Sequence, residues 1–265
     1  MFKHIALSLF AVVLSGLLLA GCSGGVYKVP KDEYRKQVKT LGVLPIIVDD
    51  GSSIKHSQRD EIFSLLRRTA VGKIESAIEP LRKKKGYFDV RYVGENPQQL
   101  LRTLVIGPLP PVEGSGLPAG YRFSAQAASQ IIEQKVVDAL LVVIVSGVEH
   151  EERRRSRNKL ETLLTVYNDI MATATVIDAQ GRVLWEMAGE EAYRLLELQY
   201  PDFDEAYFNK TDEVAVKEIT LAGLERTLTV EQKEGQPPII APAYQGLINQ
   251  VVDGLSPSLL AVFGQ

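Results

Sequence analysis

Few side chains in this sequence could carry chemistry: one thiol, two histidines in the body of the chain, and one carboxylate cluster. Cys22 is the only cysteine, so it cannot form a disulfide bond within the chain. His56 and His150 lie in polar loop sequence, where most histidine side chains face water. His150 stands among glutamates in residues 149–152, but neighbouring residues on a loop rarely converge on one ion, and no second histidine lies at ligand spacing. We predict no metal or cofactor here.

The residues before Cys22 place its thiol in a specific context. Lys3 gives a weakly basic start, and an apolar run follows from Ile5 to Ala20. A membrane-spanning helix needs roughly 20 apolar residues, so this run fits the core of a secretory signal better. Leu19-Ala20-Gly21-Cys22 resembles the lipobox of bacterial lipoproteins. The resemblance implies cleavage between Gly21 and Cys22, an S-diacylglycerol on the thiol, and an N-palmitoyl group on the new terminus.

An acylated Cys22 would be a membrane anchor. One acyl chain holds a protein only marginally, whereas two or more chains attach it stably. Ser23 follows the cysteine. By similarity to Gram-negative lipoproteins, in which an aspartate at that position favours retention in the inner membrane, we expect the periplasmic face of the outer membrane. The alternatives are the inner membrane and, for Cys22 itself, a buried free thiol behind a signal that is cut elsewhere.

The composition is that of a globular protein. The chain carries 30 basic and 33 acidic residues and is 45% hydrophobic. This balance gives no reason to expect nucleic acid as a partner. After the signal, no second apolar stretch reaches membrane-spanning length. We predict a signal peptide at 1–21, a lipidated and flexible tether at 22–37, and one periplasmic α/β domain at 38–265 that ends in a helical tail.

The predicted elements indicate a layered α/β sandwich in which a mixed sheet packs against helices. An apolar strand, Ala139–Val145, follows a helix directly, which is typical of such sheets. We also predict a long antiparallel hairpin, preceded by a charged insertion. The expected elements are a strand at 38–48, helices at 57–81 and 123–137, the charged insertion at 149–159, hairpin arms at 160–178 and 182–194, a helix from about 211 to 230, and a last helix through Tyr244 and Leu255.

Three further segments could contact a partner. Residues 107–120 are rich in proline and glycine and predict a loop without regular structure, which is either a contact loop or a plain insertion. Residues 200–208 are aromatic and acidic, and predict either a packed loop or a surface contact. The apolar stretch Leu259–Phe263 predicts either a flap over the core or a patch for a partner.

The common catalytic motifs are missing from the sequence. It has no Gly-x-Ser-x-Gly elbow, no phosphate-binding glycine loop and no His-Glu-x-x-His helix. An acid–base enzyme need not carry such a motif, so an envelope hydrolase stays as an alternative. The prediction is a protein that is not an enzyme.

Three stretches resemble a group of bacterial envelope lipoproteins: VKTLGVLPI, VDALLVVIVSGV and ATATVIDAQGRVLWE. The group comprises the curli-secretion lipoprotein, the outer-membrane activators of penicillin-binding proteins, and the GNA-type lipoproteins of pathogenic Neisseria. Their shared core resembles the amino-terminal α/β domain of TolB. The resemblance implies action by protein contact, frequent assembly into oligomers, and no catalytic residue. The charged insertion and the long hairpin depart from the group's pattern.

The curli relative builds a membrane pore from amphipathic hairpins. We do not predict a pore for this chain, because acidic residues such as Asp169, Glu186 and Glu190 would make a lipid-facing hairpin arm costly. We therefore predict a membrane-anchored, non-enzymatic accessory or assembly factor of a cell-envelope complex. Its expected partners are membrane lipid, through acylated Cys22, and an envelope protein; a homo-oligomer is compatible with the resemblance. The alternatives are the envelope hydrolase and a subunit of a secretion channel.

Overall fold

The computed structural model describes residues 24–52, 54–84, 86–113, 116–230 and 240–255. The strands are β1 (Val26–Tyr27), β2 (Thr40–Val43), β3 (Ile47–Asp49), β4 (Asp89–Tyr92), β5 (Val105–Pro108), β6 (Tyr121–Phe123), β7 (Ala139–Arg155), β8 (Thr162–Ile177), β9 (Val183–Met187), β10 (Tyr193–Glu197), β11 (Gln199–Pro201) and β12 (Val216–Glu218). The helices are α1 (Lys31–Gln37), α2 (Arg59–Ala70), α3 (Ile78–Lys84), α4 (Pro97–Thr103), α5 (Ala125–Lys135), α6 (Phe203–Asn209), α7 (Leu221–Leu228) and α8 (Pro242–Gly254), with 3₁₀ turns at Lys73–Ala77 and Gly189–Glu191.

The main sheet is mixed and follows the order β1-β9-β8-β7-β2-β4, with β3 paired to β7 and β10 paired to β8. Strands β2, β3, β4 and β7 are parallel to their neighbours within this group, whereas β8, β9, β10 and β1 pair antiparallel. Helices cover both faces, so the predicted α/β sandwich is confirmed for the described residues.

The alternation along β7 shows how the two helical layers are held. Leu141, Val143 and Val145 enter one hydrophobic cluster, which is shared with α2, α3 and α8. Leu140, Val142 and Ile144 enter the other cluster, which is shared with α4 and α5. Successive strand residues point to opposite faces, so a continuous apolar run is what a strand covered on both sides requires. The predicted buried strand is thus confirmed.

The long hairpin exists, but its arms differ from those predicted. Strand β8 pairs with β7 over a ladder that runs from Leu140 opposite Ile177 to Arg155 opposite Thr162. The predicted second arm, 182–194, is not one continuous strand. Strand β9 ends at Met187, a 3₁₀ turn follows, and β10 then pairs with β8 again. The predicted insertion at 149–159 is therefore wrong as far as Arg155, since these charged residues continue β7.

The predicted helix at 57–81 is divided in two. Helix α2 ends at Ala70, and Gly72 takes a left-handed conformation at φ 70° that stops it. Ile74, Ala77 and Leu81 are still buried after the break. The apolar spacing therefore predicted the buried face correctly, but it did not show that the helix is interrupted after Ala70. The strand predicted at 38–48 is likewise interrupted, at residues 44–46, where Pro45 supplies no backbone N–H.

The predicted flexible tether is wrong for residues 26–37. Strand β1 joins the main sheet through β9, and α1 packs on the domain. The Tyr34 side chain is buried, and its hydroxyl lies 2.6 Å from that of Tyr87. The Tyr27 hydroxyl donates to the Leu255 carbonyl at 3.0 Å, which ties β1 to the end of α8.

The last predicted helix is confirmed as α8, whose buried side includes Tyr244, Leu247 and Val251. The signal peptide, Cys22 and the Leu259–Phe263 stretch lie outside the described residues. Within the part of the chain that is described, no helix is both long enough and apolar enough to cross a membrane.

Candidate functional site

The main sheet narrows to two strands at one end. On one side of β7, strands β2 and β3 pair with it no further than Ser146, and β10 pairs with β8 no further than Asp169. Beyond these points β7 and β8 continue together to the turn at 156–161. We call residues 151–166 the hairpin finger. From Glu151 to Arg155 its arm spans five residues, or about 17 Å at 3.3 Å per residue.

One face of the hairpin finger is exposed and carries aliphatic side chains between charges. Leu164 is 52% exposed and Val166 48% exposed, and Leu160 in the turn is 84% exposed. Across the ladder, Leu164 lies opposite Arg153 and Val166 lies opposite Glu151. Side chains opposite each other in an antiparallel pair are neighbours on the same face. The result is an aliphatic stripe bordered by arginines.

The other face of the hairpin finger is covered. The Arg154 guanidinium lies 3.9 Å from the centre of the Tyr167 ring, a cation–π arrangement, and its Nη1 donates to the Gln199 carbonyl oxygen. Both Arg154 and Tyr167 are buried. Exposed and covered residues therefore alternate along the charged run, whereas the apolar part of β7 is covered on both faces.

Asp169 organises an ion-pair network at the base of the hairpin finger. Its side chain is fully buried. Arg154 Nη2 donates to both carboxylate oxygens, at 2.8 and 2.6 Å, and His150 Nε2 donates at 3.0 Å. Arg194 Nε approaches to 3.2 Å, at ion-pair distance but without hydrogen-bond alignment. Glu152 accepts from Arg154 Nε at 2.9 Å and also from Arg194.

The network fixes the protonation of Asp169. Burial alone raises the pKa of its carboxyl group, but the hydrogen bonds from His150 and Arg154 outweigh burial and hold the pKa below its ordinary value. Asp169 is therefore a carboxylate at neutral pH. Because Arg194 belongs to β10, the network also joins the hairpin to the neighbouring strand, and this fixes the direction in which the finger leaves the sheet.

Geometry alone would allow a metal ion at this place. Ligand atoms of His150, Glu152 and Asp169 lie within 4.8 Å of one another. However, the guanidinium groups of Arg154 and Arg194 already bind the same carboxylates. A cation would have to displace two fixed positive charges. The arrangement is therefore a charge-compensated ion-pair network that links β7, β8 and β10.

The prediction that both histidines lie in loops facing water is right only in that His56 lies in a loop; neither side chain faces water. His150 is buried in β7 and hydrogen-bonds Asp169. The His56 side chain is also buried: its Nδ1 accepts from the Gln58 N–H at 3.0 Å, and its Nε2 lies 3.8 Å from Glu218. Glu149, which the sequence grouped with His150, turns to the opposite face and pairs with Lys55 at 3.0 Å.

The aromatic segment 200–208 lies beside the hairpin finger. Asp202 begins α6 by accepting the Glu205 N–H, and Asp204 pairs with Arg157 in the finger's turn at 3.4 Å. Tyr207 and Phe208 are more than 80% exposed. A cavity of about 480 Å³ separates residues 200–204 from the strand segment 152–157. The segment thus begins at the end of β11 and continues as α6, which presents two aromatic side chains to solvent.

The described residues of the 107–120 loop, 107–113 and 116–120, approach the main sheet at Gly116 and Gly120. Its first residues belong to β5, and Pro111 forms an isolated bridge with Pro118. Gly116 lies close to His150, and the Tyr121 hydroxyl donates to Asp49 at 3.0 Å just beyond the loop. The prediction of no regular structure is therefore wrong at the β5 residues and at the bridge between Pro111 and Pro118.

No protein-family model and no curated protein matches the chain. Among solved structures, one similar chain is a homolog of the neuraminyllactose-binding hemagglutinin from Helicobacter pylori. The likeness covers 85% of this chain and 89% of that chain, at 10% identity and a TM-score of 0.30. A likeness of this size supports no argument about function.

Proposed function

We propose that this chain is a lipid-anchored, non-enzymatic envelope protein that acts as an accessory or assembly factor by holding a partner protein on the hairpin finger. In this proposal residues 1–21 are the signal peptide, Cys22 carries the lipid at the periplasmic face of the outer membrane, and the domain behind it is the working part. The lipobox-like sequence Leu19-Ala20-Gly21-Cys22 and the resemblance to envelope lipoproteins support the anchor.

The observation that carries the proposal is the aliphatic stripe of Leu160, Leu164 and Val166 next to Arg153 and Arg155, on a face that nothing in the described chain covers. Protein interfaces combine apolar side chains with arginine and exclude most other charges. Exposed arginines also steer association with an oppositely charged surface. The partner that fits is a protein whose contact surface is apolar and acidic.

The contact is tested by photo-cross-linking in cells. A photoreactive amino acid at Leu164 should give a discrete adduct with a second protein. The matched control is Phe88, which is 84% exposed and lies outside the finger; it should give no such adduct. Adding Arg153→Glu and Arg155→Glu should weaken the Leu164 adduct. Equal adducts at both positions would contradict the finger as the contact, and an adduct of twice the chain's mass would show a second copy in place of an envelope partner.

The anchor is tested separately. Cys22→Ser should abolish incorporation of radioactive palmitate and release the protein from the membrane fraction. Density fractionation of the unaltered protein should place it with the outer membrane. If Cys22→Ser is still labelled and stays with the membrane, the lipid-anchor proposal is wrong. Turnover of a cell-wall substrate by the purified domain, with no partner recovered, would contradict the non-enzymatic proposal.

A further inference from the structure

The first described residues are held tightly between two buried elements. Gly24 and Gly25 run between the Trp185 side chain and the end of α8. A methyl group on Gly254 would overlap the Gly24 carbonyl oxygen, and one on Gly25 would overlap the Trp185 ring. Only glycine allows such a close approach of backbone to backbone and backbone to ring.

The fixation continues along β1. Val26 pairs with Glu186 and Tyr27 pairs with Trp185. The Lys28 N–H donates to the Leu184 carbonyl at 3.0 Å, and the Tyr27 hydroxyl reaches the Leu255 carbonyl, also at 3.0 Å. The chain is therefore part of the packed domain from Gly24 onward.

This leaves very little chain between Cys22 and the domain. Only Ser23 lies between Cys22 and Gly24. The two Cα-to-Cα steps from Cys22 to Gly24, at about 3.6 Å each when extended, reach at most about 7 Å. We propose that the face formed by Gly24, Val26 and the end of α8 lies directly on the lipid bilayer and fixes the orientation of the whole domain. The inference rests on the proposed acylation of Cys22. A long flexible linker would instead leave the domain free to tumble.

The face is compatible with contact at a lipid surface. The Val26 side chain is about half exposed there, and Asp253 in the last turn of α8 is exposed as a polar neighbour.

A fixed orientation also sets where the hairpin finger acts. Val26 is in register with Glu186 of β9, which is in register with Thr175 of β8. Thr162, at the finger's end of β8, lies thirteen residues before Thr175, a strand length of about 43 Å at 3.3 Å per residue. Leu164 and Val166 of the partner contact lie eleven and nine residues before Thr175, about 36 and 30 Å along the strand, so the domain acts as a rigid spacer of about that length between the lipid surface and the contact.

The test uses the acylated full chain in phosphatidylcholine–phosphatidylglycerol vesicles that contain a lipid with a nitroxide on its headgroup. With Cys22 acylated, Asp253→Cys and Leu160→Cys each supply the only free thiol for a fluorophore. The label at position 253 should be quenched several-fold more strongly than the label at 160. Equal quenching at the two positions would overturn the fixed orientation.

A second measurement leaves the domain unaltered. Trp185 is the only tryptophan of the chain and lies beneath Gly25. Inserting about twelve glycine and serine residues between Ser23 and Gly24 adds roughly 20 Å of flexible chain. Trp185 quenching should then fall several-fold while the protein still floats with the vesicles. Unchanged quenching would overturn the inference. A protein that does not float at all would instead show that the lipid anchor is wrong, so the two failures are distinguishable.

Discussion

Replacing Asp169 with alanine is the sharpest test of how the hairpin finger is held. The carboxylate is fully buried and compensates Arg154, which is itself buried, and in part Arg194. Removing one partner of a buried ion pair leaves the other charge uncompensated, which costs about 3–5 kcal/mol. We expect a loss of that size in the free energy of unfolding.

The assay is urea denaturation of residues 24–265 followed by circular dichroism. With an m value near 3 kcal/mol/M, at the upper end for domains, the loss lowers the midpoint by about 1–1.7 M. The control is Asp204→Ala, which removes an exposed pair with Arg157 at 3.4 Å and should change stability by less than about 0.5 kcal/mol. If Asp169→Ala costs less than about 1 kcal/mol, the network does not compensate buried charge in the way argued above.

The pH dependence gives an independent check on the same residue. The pKa of Asp169 in the folded protein is held below its ordinary value, so its contribution is complete above the unfolded pKa of about 4 and is lost as the pH falls through the folded pKa. The stability difference between the unaltered protein and Asp169→Ala should therefore narrow below about pH 4. A difference that stays constant to pH 2 would show that the ionised carboxylate is not its source.

Two further substitutions test other parts of the domain. Tyr34→Ala should lower the free energy of unfolding, measured in urea, by about 3–5 kcal/mol, because it empties a buried aromatic site. The control Tyr207→Ala, at an exposed site, should lower it by less than about 0.5 kcal/mol. Equal effects would mean that residues 31–37 do not belong to the folded unit. Burial raises the pKa of Glu186, and Lys28 at 3.2 Å only partly offsets this, so the charged form is less favourable in the folded state. Glu186→Gln should raise the free energy of unfolding at pH 8 and leave it nearly unchanged at pH 4, as urea denaturation at the two pH values would measure. A loss of stability at pH 8 would show that the Lys28 pair outweighs burial.

The sheet and its helical layers could be predicted from sequence because apolar spacing reports which side of an element is buried. Leu140–Val145 predicted a strand covered on both faces, and the helical period through Leu66, Ile74 and Leu81 predicted one continuous buried side. The same period could not reveal the break at Gly72, because the 3₁₀ turn and α3 keep the buried side facing the sheet.

The charged half of β7 could not be predicted by the same rule. A run of glutamates and arginines is usually solvated, yet His150 and Arg154 are buried. Their compensating partner, Asp169, lies on β8, and Arg194 of β10 pairs with the same carboxylate; both become visible only once the register is known. One signal was present: the facing segment alternates between Leu164 and Val166 on one side and Tyr167 on the other, which indicates a strand that needs a paired neighbour.

If Cys22 is acylated as proposed, the ion-pair network and the exposed stripe have a mechanical consequence. The close packing of Gly24 fixes one end of the domain, and Asp169 fixes the direction of the hairpin finger at the other end. A spacer of this kind presents its contact at a defined distance only if both ends are rigid. Loosening either one, by the glycine–serine insertion or by Asp169→Ala, should therefore weaken the Leu164 cross-link even though every residue of the contact is unchanged. An adduct of undiminished yield in both variants would mean that the partner binds the hairpin finger in any orientation of the domain. The distance of the contact from the membrane would then not matter.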